Sequence, residues 1–140
     1  MKRLAVLAVV LAVFSAATAF AKVQDFGAYT VDVPAGWTAT PDGNTVGIVK
    51  DDNSAAISIT YDKLDGATVE KMADAYLEAL GGKNPSVNGE IYTFTTTNAN
   101  GVDSECYVYG DNKNYALIVV TGRENAPQEV GAILDSMNDK

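Results

Sequence analysis

Tyr115-Ala116-Leu117-Ile118-Val119-Val120 is apolar at every position. Alternate residues of a strand point to opposite faces, so a sheet wetted on one side cannot hold such a run. A chain that contains it must cover both faces of its sheet. Asp111-Asn112-Lys113-Asn114 precedes the run and Asn98-Ala99-Asn100-Gly101 lies one strand earlier, both of turn-forming composition. Residues 90–97, 102–109 and 115–121 are therefore expected to form an antiparallel meander. If each loop has four residues, Tyr92 faces Tyr107 and Tyr107 faces Ile118. One face then carries Tyr92, Phe94, Tyr107, Tyr109, Ala116 and Ile118, with Glu105 beside them. The other carries Ile91, Thr93, Cys106, Val108, Leu117 and Val119.

Cover is available from two segments of helical period. Val69, Met72, Ala73, Tyr76, Leu77 and Leu80 recur along one helical stripe. Thr68 is placed as its N-cap, Glu70 suits the positive end of the dipole, and Gly81-Gly82 supplies a left-handed stop. A second helix opens near Pro127 and carries Val130, Ile133, Leu134 and Met137. Upstream, residues 30–33 alternate as a strand that ends at the turn Pro34-Ala35-Gly36-Trp37. Residues 45–50 and 55–61 form a hairpin around Asp51-Asp52-Asn53-Ser54. The expected fold is α+β: an antiparallel sheet of about six strands with two helices, one covering each face.

Lys2 and Arg3 precede an apolar run over residues 4–14, and Ala19-Phe20-Ala21 gives a small-x-small junction. Residues 1–21 thus read as a signal peptide cleaved before Lys22, leaving 22–140 as a single periplasmic or secreted domain. The run is shorter than the roughly 20 apolar residues of a membrane span. No cysteine stands at the junction to carry a lipid, so no membrane anchor is expected after cleavage. With Lys2 and Arg3 gone, eight basic residues stand against 18 acidic ones, which argues against nucleic acid as a partner. Cys106 is the one cysteine. It has no internal disulfide partner, so the fold rests on packing.

The chain has no histidine. That removes Ser-His-Asp and Cys-His nucleophile activation and the usual zinc sites. No glycine-rich phosphate loop precedes a helix. Cys106 is expected to be a buried, inert thiol. Asp51-Asp52-Asn53, Asp62 and Asp65 do not match a calcium loop and read as solvated turns. Trp37 is expected to plug one end of the core. No catalytic residue, metal or cofactor is called for. The aromatic group with a charge beside it, Tyr107 and Tyr109 with Glu105, is the candidate partner-binding surface, taking a protein or a small apolar ligand. The leading expectation is an accessory or binding domain. A hydrolase-type enzyme using carboxylate or tyrosine chemistry, and a structural component of an exported assembly, are the alternatives.

Tyr29-Thr30-Val31-Asp32-Val33-Pro34-Ala35-Gly36-Trp37 is followed by a hairpin, a helix, a three-strand meander and a closing helix with Ala132-Ile133-Leu134-Asp135-Ser136-Met137. This order resembles the PsbP-like fold group, which includes a photosystem subunit, a Ran-binding nuclear import factor and small bacterial envelope proteins of the DcrB type. The resemblance implies a protein-binding or accessory role. It implies no site residues, because the matching segments are turns and helix endings.

Overall fold

The structure is a computed structural model that describes residues 22–139. The expected signal peptide over residues 1–21 lies outside the described residues. The chain runs β1 (Lys22–Asp25), β2 (Tyr29–Val33), β3 (Trp37–Asp42), β4 (Thr45–Lys50), β5 (Ala56–Lys63), α1 (Val69–Ala79), β6 (Lys83–Asn88), β7 (Ile91–Thr97), β8 (Asp103–Gly110) and β9 (Asn114–Thr121). A single 3-10 turn over Arg123–Asn125 then leads to α2 (Pro127–Ser136) and β10 (Asn138–Asp139). The fold is α+β. Its main sheet is antiparallel, in the order β3-β4-β5-β9-β8-β7-β6, and a smaller sheet pairs β1-β2-β10.

The described residues form ten strands in two sheets and not about six in one. β2 leaves the main sheet, β3 and β6 join it, and β1 and β10 pair with β2. These four added strands have no apolar alternation to announce them. Trp37 closes the expected turn, its N donating to Pro34 O at 3.2 Å, and also opens β3, whose Pro41 is tolerated because β3 is an edge strand. All six residues of β6 are exposed. The short β1 and β10 flank β2 and are largely exposed as well.

The two faces of the main sheet are covered differently. Opposed pairs put Val46, Ile59, Ile118 and Tyr107 on one face, with Ile48, Ile57 and Val120 in the adjacent row. A second layer made of β2 and α2 covers this face, and Tyr29, Val31, Val33, Trp37, Val130 and Ile133 join the same buried cluster. On the opposite face α1 packs over β7 and β8. A separate cluster forms there from Leu64, Ala73, Phe94, Cys106, Val108, Tyr115 and Leu117. Toward β4 and β5 this face turns small and polar. Thr45 pairs its hydroxyl with Thr60 at 2.9 Å, and Ser104 with Thr121 at 2.7 Å. Hydroxyl-bearing residues can face water, so no helix is needed there. The apolar run of β9 thus does have cover on both sides, but on one side much of it comes from strands.

One register departs from expectation. Tyr92 pairs with Val108, Thr93 with Tyr107 and Phe94 with Cys106. The reason is the β7–β8 turn. Asn98 N donates to Val102 O and Gly101 N donates to Asn98 O, both at 3.0 Å, with Gly101 at φ 79°. That is a three-residue loop with a left-handed glycine bulge, not a four-residue loop. A slip of one residue moves every side chain to the other face. Tyr92 and Phe94 therefore lie under α1, apart from Tyr107 and Tyr109. The β8–β9 turn follows expectation, with Gly110 opposite Tyr115 and Asp111 Oδ1 accepting from the Lys113 and Asn114 backbone at 2.8 Å each.

The ends of α1 also follow the sequence. Thr68 Oγ1 accepts from Lys71 N at 3.1 Å. At the other end Gly81 N donates to Glu78 O and Gly82 N to Leu77 O, which is a Schellman closure. Beneath this helix Cys106 is 1 % exposed and faces Val119 across the ladder. Burial pushes its thiol above the ordinary range, against the weaker pull of a Thr96 hydrogen bond. Since the thiolate is the reactive form, a thiol reagent should label Cys106 only once denaturant is present. Rapid labelling of the native protein would contradict this packing.

Candidate functional site

The site begins with how α2 is fixed. Trp37 Nε1 donates to Glu129 Oε2 at 2.8 Å near the start of the helix, and Lys50 Nζ lies 3.9 Å from Glu129 Oε1. At the other end Ser136 Oγ donates to Ile133 O at 2.7 Å and accepts from Asp32 N at 2.8 Å. The helix is thereby pinned to both β3 and β2. It then stops, because Met137 is extended at φ −61° and ψ 127°. A ten-residue helix is roughly 15 Å long, while seven strands span roughly 30 Å. Cover is therefore incomplete toward β8 and β7.

The gap is an apolar cleft of about 330 Å³. Ile91, Tyr107, Tyr109 and Ile118 come from the sheet, and Leu134 and Met137 from the end of α2. Among the described residues Arg123 is the one charged residue that lines it. Its Nε lies 3.0 Å from each oxygen of Glu105, and its Nη2 donates to the Tyr107 hydroxyl at 3.0 Å. The Tyr107 hydroxyl in turn donates to Glu105 Oε1. Both charged side chains are about a third exposed, so the pair itself adds only about 0–1 kcal/mol to stability. Its consequence is orientation: the guanidinium is turned along the wall and Tyr107 is held in one rotamer.

Of the expected binding residues, Tyr107 and Tyr109 do line one cleft. Glu105 does not line it and instead holds Arg123 and Tyr107 from behind. Phe94 is buried in the opposite cluster, and Tyr92 packs against that same cluster. The other lining residues escaped the sequence for separate reasons. Ile91 was assigned to the wrong face by the register slip. Leu134 and Met137 read as core positions of α2. Arg123 follows β9 by two residues, and only the β8–β9 pairing brings it to Glu105.

The tyrosines are held neutral. Burial, then the hydrogen bond to Glu105, pushes the Tyr107 hydroxyl up. Burial, with Asp139 and Tyr61 nearby, does the same for Tyr109. Tyr29, 2 % exposed with its ring tilted by 41° to that of Tyr61 at 5.8 Å, is pushed up to about 12 by burial and by Tyr109. These folded values lie above the unfolded value near 10, so the stabilisation they carry is complete below pH 10 and declines as pH rises above it. Urea melts should shift to lower urea as pH rises past about 8.5, where the Cys106 thiol ionises first in the unfolded chain, and further between pH 10 and 12 as the tyrosines do the same. A melt unaffected at pH 11 would contradict the burial of these rings.

Among the described residues no group of three or more His, Cys, Asp or Glu side chains is placed to hold a metal ion. The acidic turns are occupied internally: Asp52 Oδ1 takes Ser54 N and Oγ, and Asp62 Oδ2 takes Asn44 Nδ2 at 2.9 Å. No family model matches the sequence, and no curated protein matches it.

Proposed function

We propose that the chain is an exported accessory domain of the bacterial envelope, of PsbP-like architecture, that holds a small apolar ligand or an apolar side chain of a protein partner. The observation that carries this reading is the open cleft of about 330 Å³ on a sheet face that is otherwise covered. Pockets of this kind, apolar with one oriented polar group, favour binding. The sequence pattern over residues 1–21 supports export, and the acidic balance of the chain argues against nucleic acid as a partner. The element order from β2 to α2 supports the PsbP-like reading. Enzymatic use of Tyr107 is disfavoured, because a nucleophile or base needs a lowered pKa and this hydroxyl is raised.

A neutral apolar fluorophore such as N-phenyl-1-naphthylamine tests the reading. Saturable binding is expected, weakened at least about tenfold by Leu134→Asp, since a carboxylate in the cleft must be desolvated on ligand entry. Val87→Asp, on the opposite face, should bind as the native protein does. Equal affinity in all three proteins would overturn the proposal.

A further inference from the structure

A second cavity, of about 380 Å³, lies on the other side of the sheet, between α1 and the β6–β7 hairpin. Its apolar surface comes from Ala73 and Leu77 of α1, Tyr92 and Phe94 of β7, and Pro85 and Val87 of β6. Val87 is 59 % exposed. A valine left this open beside an apolar groove gains from being covered.

Glu70 and Asp74 also line this groove. They stand four residues apart on α1, one helical turn, so both project along the same wall. Neither forms an ion pair among the described residues. The groove thus combines an apolar floor with two uncompensated negative charges on one side, in a chain already of net charge −8. An anionic occupant is repelled, and a purely apolar one leaves the carboxylates without a partner.

The strand edge narrows the choice further. β6 is the outer strand of the sheet, but its pairing with β7 shifts register between Lys83 and Ser86. Asn84 sits at φ 55° and Pro85 has no N–H to donate. A partner strand cannot continue the ladder along such an edge. Recognition must proceed through side chains.

We propose that this groove docks a peptide segment of a partner protein carrying one basic side chain between apolar ones. The apolar side chains cover Val87 and Leu77, above the buried Phe94. The cation lies between Glu70 and Asp74, within reach of the Tyr92 ring. Because the two carboxylates are exposed, their attraction is modest and screened by salt.

The test is a titration of the folded protein with acetyl-Leu-Arg-Leu-amide, followed by amide chemical shifts. Saturable shifts are expected at Ala73, Leu77, Val87 and Tyr92. Affinity should fall at least fivefold when norleucine replaces the arginine, when the protein is the Glu70→Gln/Asp74→Asn double variant, or when salt rises from 20 to 300 mM. Both substitutions are at exposed positions, and a cooperative urea melt verifies folding, with a small loss expected because Glu70 stands in the first turn of α1. Absence of shifts, equal affinity for the norleucine peptide, or full affinity in the double variant would each overturn the proposal. So would butylamine binding as tightly as the peptide, since the occupant would then be a simple amine. The cleft at α2 is on the opposite face, so the outcomes of the two tests are separable.

Discussion

Truncating Ile133 to alanine is expected to lower the unfolding free energy by about 3 to 5 kcal/mol. Ile133 is fully buried on α2, in one cluster with Val31, Ile57, Val120 and Val130. That cluster joins the main sheet to the second layer. A cavity there is walled by strands on two sides and cannot collapse easily. Leu134→Ala is the informative control. Leu134 is adjacent in sequence but only half-buried, at the cleft, where solvent already has access, so about 1 kcal/mol or less is expected. Urea denaturation of both variants measures the difference. Equal losses would mean that α2 is rotated from the position that forms the cleft.

Gly122→Ala is expected to cost more than about 2 kcal/mol, from two independent effects. Gly122 has φ 74°, a region where an L-residue with a side chain loses about 1–2 kcal/mol. A Cβ built on it would also stand 2.2 Å from Ser54 O and 3.1 Å from Ala55 Cα, which are backbone atoms that cannot rotate away. The same contact region is tied by Asn125 Nδ2 donating to Ser54 O at 2.8 Å. Arg123 follows immediately, so any displacement is passed to the wall of the cleft. Both the urea midpoint and the affinity for an apolar probe should fall. A variant of native stability would show that the turn has freedom the geometry does not allow.

What the sequence made legible divides along physical lines. Local chemistry was readable: Thr68 caps α1, Gly81-Gly82 closes it, Pro127 opens α2, and Asp111 organises the β8–β9 turn. Each depends on residues within a few positions of one another. Long strands with strong apolar character were readable for the same reason. The edge strands β3 and β6 were not, because their hydrogen bonds come from a neighbour while their side chains face water. The β7–β8 register failed on a single residue. Asn98-Ala99-Asn100-Gly101 suits either a four-residue loop or a three-residue loop with a bulge, and nothing local decides between them. That one residue separated Tyr92 and Phe94 from Tyr107 and Tyr109. The role of Glu105 was invisible for a further reason, since Arg123 reaches it only across the sheet.

The claim on which the proposed function rests is that Ile91, Tyr107, Ile118, Leu134 and Met137 surround one apolar opening, with Phe94 and Leu77 on the far side of the sheet. Methyl NMR of the Ile-, Leu- and Met-labelled protein during titration with 1-octanol tests it most directly. Saturable shifts are expected for the methyls of Ile91, Ile118, Leu134 and Met137, with those of Ile48 and Leu77 unmoved. Shifts centred on Leu77, or none that saturate, would contradict it.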